Sequence, residues 1–186
     1  MRDKHMFNRF NKATALVHIS AVAALLAAPL STLAVESGTA QDNVYAAKVW
    51  DYALEHKFIG EGRLQSYPFK GHRPHGSIQE VVATTAEIDG QKGRLIVKHN
   101  YGAKDKLTVQ DVYANPDMNY EALTIMFQRE KGYDPDHNDW FWAEYKANGE
   151  IIVYNGEVLS GRAPLCTGCH AALGGPDREI LNGKEK

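Results

Sequence analysis

Residues 43–59 carry apolar side chains at intervals close to the 3.6-residue period of an α-helix. This pattern predicts an amphipathic helix from Asn43 to Ile59, with Asp42 or Asn43 as its N-cap and with Gly60 and Gly62 after its end. The apolar positions that define its predicted buried face are Val44, Ala47, Leu54 and Phe58. A helix with one apolar face packs against another element of the fold, and the rest of the chain supplies strands.

From residue 77 onward, the chain consists of short segments rich in β-branched and aromatic residues, with turn residues between them. The predicted strands are Ser77–Thr84, Arg94–Tyr101, Leu107–Tyr113, Ala122–Glu130, Asp139–Lys146 and Glu150–Tyr154. The dipeptides Asp89-Gly90 and Asn148-Gly149 predict tight turns, and connections this short favour antiparallel pairing. We therefore expect an α+β fold that is mainly an antiparallel β-sheet with an N-terminal helix.

The first 34 residues have the composition of a secretory signal peptide. Four basic residues precede a mostly apolar run from residue 13 to residue 33: Arg2, Lys4, Arg9 and Lys12. Small residues before the predicted cleavage point favour cutting after Ala34, with Ala40 as the second choice. We expect an exported, periplasmic protein. An uncleaved membrane anchor is the alternative, because the apolar run is nearly long enough to span a bilayer.

Cleavage would leave a mildly acidic chain whose length suits one domain. Removing residues 1–34 takes away four basic residues and one acidic residue, so the formal net charge changes from −2 to −5 over 152 residues. A chain with this charge and no basic run is not expected to bind nucleic acid. We divide the chain into the signal peptide at 1–34, a helical segment at 35–64 and the main domain at 65–186.

The only two cysteines of the chain stand in the sequence CTGCH at residues 166–170. Cys-x-x-Cys-His is the attachment motif of a c-type haem, in which each thiol forms a thioether bond with one vinyl group. The adjacent histidine then lies where its imidazole can bind the iron. We expect one covalent haem c on Cys166 and Cys169, with His170 as iron ligand. Pro164 predicts that the motif opens a short C-terminal haem-binding helix.

A zinc half-site and a redox disulfide are the alternatives for a Cys-x-x-Cys pair. Zinc would need two further ligands, and a redox pair of the thioredoxin kind would need a βαβ unit, which the pattern does not predict. The other histidines after residue 34 show no paired ligand spacing: His56, His72, His75, His99 and His137. The export signal and the histidine directly after the second cysteine favour haem.

Three blocks of the sequence resemble the cytochrome P-460 family in their order and spacing. Residues 93–101, GRLIVKHNY, are similar to the family's G-x-x-V-K-E-x-Y strand, with His99 at the position of the glutamate. Residues 131–142, KGYDPDHNDWFW, resemble its K-G-Y-D-P…D-W-x-W segment. The C-terminal motif with Asp177 beyond it is similar to C-x-x-C-H…D. The resemblance covers about residues 65–181.

The resemblance implies one c-type haem with five-coordinate iron, an antiparallel sheet with helices, and a homodimer. In the P-460 branch of the family, a lysine that corresponds to Lys98 is covalently joined to the porphyrin, and the protein oxidises hydroxylamine and passes electrons to a partner cytochrome. In the cytochrome c′-beta branch the cross-link is absent, and the haem binds nitric oxide and related gases. Whether the chain is an enzyme or a gas-binding protein stays open at this point.

Lys98 is the residue at which these hypotheses differ. A lysine that reacts must be neutral, and burial supplies that state by lowering the pKa of the amine. The candidates for the open side of the haem are Phe69, Phe127, Phe141, Trp142, Glu144 and Tyr145. Ordinary core packing is the alternative for each aromatic residue. A carboxylate on the open side would serve as a general base, and for Glu144 a surface position on its strand is the alternative. A plain electron carrier is the third hypothesis, with Met118 or Met126 as a sixth iron ligand.

Overall fold

The computed structural model describes residues 36–72, 74–102, 107–117, 120–173 and 179, so the predicted signal peptide and Asp177 lie outside the described residues. Its elements are α1 (Ala40–Glu55), β1 (Phe69–Lys70), β2 (Ile78–Ile88), β3 (Gln91–Tyr101), α2 (Val109–Ala114), β4 (Tyr120–Gln128), a 3-10 helix (Pro135–His137), β5 (Trp140–Lys146), β6 (Val153–Tyr154), β7 (Glu157–Val158), β8 (Ser160–Gly161) and α3 (Pro164–Leu173). The predicted α+β class, the antiparallel sheet and the two terminal helices are confirmed. None of the helices in these ranges is long and apolar enough to span a membrane.

One six-stranded antiparallel sheet forms the centre of the fold, in the order β1-β2-β3-β4-β5-β8. The two-residue turn between β2 and β3 is Asp89-Gly90, whose φ angles are 54° and 76°. Two positive φ angles give a turn whose twist matches that of the flanking strands, as the dipeptide predicts. Strands β6 and β7 form a separate two-stranded sheet.

The two faces of the large sheet carry different hydrophobic cores. On one face, α1 packs over apolar side chains that include Leu95, Val97, Ile125, Phe127, Phe141 and Tyr145. On the other face, Ile96, Met126 and Trp142 pack with Ala163 and Cys166, at the start of α3. Side chains alternate along each strand, so odd-numbered residues of β3 point toward α1 and even-numbered ones toward α3. We call these the α1 face and the α3 face.

Helix α1 differs from the prediction in its bounds and in its buried side. It begins at Ala40 because Thr39 and Asp42 form a capping box, in which each side chain accepts a hydrogen bond from the other residue's backbone amide. It ends at Glu55, and Lys57 then adopts a left-handed φ of 58°. The buried residues are Tyr45, Ala46, Val49 and Ala53, whereas the predicted face residues Val44, Ala47 and Leu54 are exposed. Phe58 is buried beyond the helix end.

The predicted strand Leu107–Tyr113 is wrong, because this segment forms helix α2. Thr108 and Asp111 make a second capping box: the amide of Asp111 donates to Thr108 Oγ1 at 3.2 Å, and the amide of Thr108 donates to Asp111 Oδ2 at 2.9 Å. The cap fixes the helical path, and Val112 supplies the one buried residue of α2. A spacing of three residues between a threonine and a carboxylate was the local signal for this helix.

The predicted strand Glu150–Tyr154 is also wrong as a single strand. Ile151 makes an isolated bridge with Tyr145, and residues 153–154 pair with β7 in the small sheet. The turn at Asn148-Gly149 is confirmed: Gly149 has a φ of 88°, and its amide donates to the carbonyl of Lys146 at 3.0 Å. The chain therefore reverses where the dipeptide predicts, but the returning segment pairs with β5 at one position only.

Candidate cofactor site at the Cys-x-x-Cys-His helix

Helix α3 begins where its backbone donors have partners. Pro164 occupies the first helical position, where the missing N–H of proline costs no hydrogen bond. The amide of Leu165 donates to Glu157 Oε1 at 3.2 Å, which satisfies a donor that the helix itself leaves open. The amides of Cys166 and Thr167 both donate to the carbonyl of Ala163 at 3.0 Å. The motif is therefore held in helical form, as the sequence predicts.

The three motif side chains form one stripe along α3. Cys169 and His170 follow Cys166 by three and four residues, which is the spacing of neighbours on a helix surface. Both cysteines are free thiols; Cys166 is buried and Cys169 is exposed. His170 is buried, and its ring lies edge-on to Trp142 with 4.5 Å between the ring centroids. The stripe thus places the Cys166 thiol and the His170 imidazole at the α3 face of the sheet, and the Cys169 thiol next to them on the helix is exposed.

The α3 face is arranged in rows that cross the strands. Ile96, Met126 and Trp142 are cross-strand partners and form an apolar row beside Cys166. The next row across the same three strands is polar: Lys98 pairs with Thr124, and Thr124 pairs with Glu144. Directly opposed residues of antiparallel strands lie on the same face. An amine, a hydroxyl and a carboxylate therefore stand in line beside the apolar row.

The amine of Lys98 is buried, with 2 % of the residue exposed. Burial lowers the pKa of Lys98 from 10.5 to about 8, while Glu179 and Cys166 act in the opposite direction. Glu179 is itself held by Arg94, whose Nε and Nη2 donate to its two carboxylate oxygens at 3.0 Å and 3.2 Å. A substantial fraction of the Lys98 side chain is therefore neutral near pH 8.

The lowered pKa of Lys98 predicts a rise in stability with pH. Between about pH 8 and pH 10.5 the unfolded chain binds a proton at Lys98 that the folded chain has lost, so the free energy of unfolding increases with pH. In a chain without haem, we expect the free energy of unfolding of Lys98→Met to rise by about 3 kcal/mol less than that of the parent between about pH 8 and pH 10.5. Urea unfolding at pH 7.5 and pH 10.5 measures it. A difference between parent and variant that does not change with pH would contradict the prediction.

A buried polar network extends from this row toward the start of β2, and the sequence did not indicate it. Gln79 Nε2 donates to Asn100 Oδ1 at 3.0 Å, and Asn100 Nδ2 donates to Thr124 Oγ1 at 2.8 Å. Thr124 Oγ1 also lies 3.4 Å from Nδ1 of His75. Each amide and hydroxyl of this chain has a partner, so the network can be buried at little cost and hold His75 in place.

His75 is the functional candidate that the sequence reasoning missed. The loop that carries His75 lies close to β3 at Gly76, which has a φ of 86°. A Cβ at this position would lie 2.7 Å from the carbonyl oxygen of Tyr101, so the close approach requires glycine. The ring centroid of His75 lies 6.2 Å from that of His170. Burial, then Lys98 and His170, lowers the pKa of His75 to about 3, so the ring is neutral at physiological pH. The clustering of proline, glycine and histidine in residues 67–76 was the local signal in the sequence.

The charge of Glu144 acts on Cys166 across the α3 face. Burial raises the pKa of the Glu144 carboxyl above its ordinary value. Burial also raises the pKa of the Cys166 thiol to about 12, and the charge of Glu144 is the next contribution. Cys166 is therefore a protonated thiol near neutral pH, and Glu144 is a carboxyl group whose proton affinity is enhanced.

The predicted distal candidates divide between the two faces. Phe127, Phe141 and Tyr145 belong to the core under α1, so their assignment to a pocket beside the motif is wrong. Alternation alone could not decide this, because both faces carry apolar residues. Trp142 and Glu144 lie on the α3 face, and Phe69 is paired with Gln79 at its edge. Met126 packs in the apolar row of that face. Met118 lies outside the described residues.

The residues at α3 fit a covalent c-type haem. Two free thiols and a histidine share one stripe, and the indole Nε1 of Trp142 is buried without a partner in the described part of the protein. Such a donor suits a bound group with oxygen acceptors, as haem propionates are. Across the described ranges, no group of three or more His, Cys, Asp or Glu side chains is positioned to hold a metal ion.

Comparisons of the chain with protein-family models, with curated proteins and with solved structures gave no significant match. The resemblance to the cytochrome P-460 family therefore stays a prediction from the three sequence blocks. The fold and the geometry at α3 are the observations from which a function can be proposed.

Proposed function

We propose that this protein is a periplasmic, mono-haem c-type protein with five-coordinate iron that binds or oxidises small nitrogen species. The observation that supports the proposal best is the packing of the Cys-x-x-Cys-His helix over the sheet face in which Lys98 is buried. In this proposal Cys166 and Cys169 hold the haem and His170 is the axial ligand. When bound, such a haem supplies an iron that takes a small ligand and exchanges electrons with it.

Lys98 is the proposed site of a second attachment to the porphyrin. Its buried amine is partly neutral near pH 8, which is the state that forms a bond from nitrogen to carbon. Forming that bond removes one hydrogen from the amine and one from a porphyrin carbon. The two protons and two electrons would pass to an oxidant, for which we propose a peroxide that is reduced to water. The enzymatic form of the protein would then oxidise hydroxylamine.

Glu144 is the proposed general base of this reaction. Oxidation of hydroxylamine releases protons as well as electrons, so a proton acceptor beside the ligand assists it. Glu144 lies in the same cross-strand row as Lys98 and has a raised pKa, which brings its proton affinity closer to the working pH. The electrons would leave to a partner cytochrome. That partner and a homodimeric state are proposed from the family resemblance alone.

Capture of nitric oxide is the second candidate function, and the apolar row beside His170 favours it. Ile96, Met126 and Trp142 are fully buried and carry no charge. An apolar surrounding suits a small uncharged gas. In this form Lys98 would remain a free amine, and the protein would bind nitric oxide without turning over hydroxylamine.

The absorption spectrum of the reduced protein, read together with a peptide map of Lys98, separates these candidates. A strongly red-shifted Soret band with Lys98 absent as a free amine supports the hydroxylamine-oxidising form. An ordinary five-coordinate spectrum that changes with nitric oxide, together with a free Lys98, supports gas binding. A low-spin spectrum that nitric oxide leaves unchanged contradicts both and favours an electron carrier with a sixth ligand such as Met126.

Replacement of the proposed base gives a quantitative test of the enzymatic form. We expect Glu144→Gln to lower kcat for hydroxylamine oxidation by about 10²-fold or more, because a positioned base contributes roughly that factor. Glu150→Gln, at an exposed carboxylate after the same strand, is the matched control and should keep the parental rate. Equal rates for both variants would remove Glu144 from the proposed mechanism.

A further inference from the structure

The α1 face holds a buried histidine that the haem proposal does not use. His99 is 2 % exposed, and neither of its ring nitrogens has a hydrogen-bond partner among the residues that the structure describes. A buried imidazole without partners loses the hydrogen bonds that it makes with water in the unfolded chain. Such a group therefore points to a ligand or to a role in binding.

His99 lines a cavity of about 260 Å³ between the end of α1 and the start of β4. The side chains that matter for its chemistry are Trp50, Leu54, Ile59, Arg63, His99 and Tyr120. The ring centroids of His99 and Tyr120 are 5.7 Å apart. A benzene molecule occupies a cavity of roughly 150 Å³, so this space accepts a single ring with a substituent.

The buried wall of the cavity carries one cation, which is paired, and the other charged lining residue, Asp117, is exposed. Arg63 Nη1 donates to Glu80 Oε2 at 2.7 Å, so the one cation of the wall is paired with a buried carboxylate. Arg63 Nη2 also donates to the hydroxyl of Tyr101 at 2.7 Å. Burial, and then the charge of Arg63, lowers the pKa of His99 to about 3. The imidazole is therefore neutral, with one nitrogen that donates and one that accepts.

The remaining wall is suited to an aromatic ring. Trp50 packs against the turn at Gly149, where a Cβ would lie 2.8 Å from the indole, so this turn fixes the indole position. Trp50 also contacts Tyr145, with 5.1 Å between the ring centroids. Leu54 and Ile59 add aliphatic surface. The aromatic walls and the buried, unpartnered imidazole of His99 favour an uncharged ring with a single polar substituent, and the one carboxylate of the lining, Asp117, is exposed.

We propose that this cavity is a second binding site, separate from the Cys-x-x-Cys-His helix, for a small uncharged hydroxylated aromatic molecule of the phenol class. The hydroxyl group of the ligand exchanges a hydrogen bond with the imidazole of His99. The ring contacts Trp50, Leu54 and Tyr120. The site lies on the α1 face of the sheet, whereas the proposed haem lies at the α3 face. Binding of a phenol here therefore does not depend on the proposed function.

Calorimetric titration of the purified full-length protein with phenol and with benzene tests the proposal. We expect phenol to bind at least tenfold more tightly than benzene, because a site built around a polar group rejects the analogue that leaves it unpaired. His99→Leu should weaken phenol binding about tenfold or more and leave benzene binding nearly unchanged. His137→Gln is the control, because His137 lies in the 3-10 helix and pairs with Asp134. This variant should bind phenol as the parent does.

Three outcomes would overturn the proposal. One is the absence of any heat of binding at phenol concentrations up to roughly 10 mM. Another is equal affinity for phenol and benzene in the parent protein, a comparison that needs no variant to fold. The third is phenol binding that cyanide at a haem iron abolishes and that His99→Leu leaves unchanged.

Discussion

The double variant Cys166→Ala/Cys169→Ala is expected to contain no covalently bound haem when it is purified from a host that matures c-type cytochromes. Each thioether needs one of these thiols, and the chain has no third cysteine. Haem staining of a denaturing gel measures the loss directly. Each single variant should keep one thioether and stain more weakly than the parent.

Gly168→Ala is the matched control for this experiment. A Cβ at Gly168 meets no atom within 4 Å, and alanine stabilises a helix interior by up to about 1 kcal/mol relative to glycine. The control should therefore bind haem as the parent does, although it changes the same motif. Haem that remains covalently attached to the double variant would show that the attachment is elsewhere.

Arg63→Met is expected to lower the free energy of unfolding by about 3–5 kcal/mol, the second-largest effect that the structure predicts. Glu80 is fully buried, and Arg63 is the partner that compensates its charge. Removal of the guanidinium also takes the donor from the hydroxyl of Tyr101. Urea unfolding monitored by tryptophan fluorescence measures the change.

Two further variants separate the lost charge pair from a general effect of the substitution. Lys48→Met removes an exposed ion pair with Asp89 and should cost no more than about 1 kcal/mol. The double variant Arg63→Met/Glu80→Gln removes both charges, so it should recover part of the loss seen in Arg63→Met. A loss for Arg63→Met no larger than that for Lys48→Met would contradict the interpretation.

Local signals predicted the fold well where a short segment determines its own conformation. The turns at Asp89-Gly90 and Asn148-Gly149 and the helix behind Pro164 are confirmed. The prediction failed at Thr108–Asp111, where the apolar alternation of a strand was preferred to a capping box. It also failed for the buried side of α1, because the tertiary contacts of Tyr45 and Val49 decide which stripe is buried.

The site depends on contacts that the sequence does not contain. Alternation places the side chains of Lys98 and His99 on different faces of β3. Both faces also carry apolar residues, so the sequence does not show which face the motif covers. The packing of α3 shows it. The row formed by Lys98, Thr124 and Glu144 depends on the register of three strands. His75 joins this network through Thr124, which is 49 residues away in the sequence, and Thr124 in turn contacts Asn100, 24 residues away. Spacing along the chain gives no signal for such contacts.

The most direct test of the central claim is the mass of the intact, denatured protein, followed by peptide mapping. If Cys166 and Cys169 hold the haem as proposed, the chain carries the mass of one haem, and the added mass lies on the peptide that contains residues 166–170. A chain with the mass of the polypeptide alone, in which both Cys166 and Cys169 still react with an alkylating reagent, would contradict the proposal.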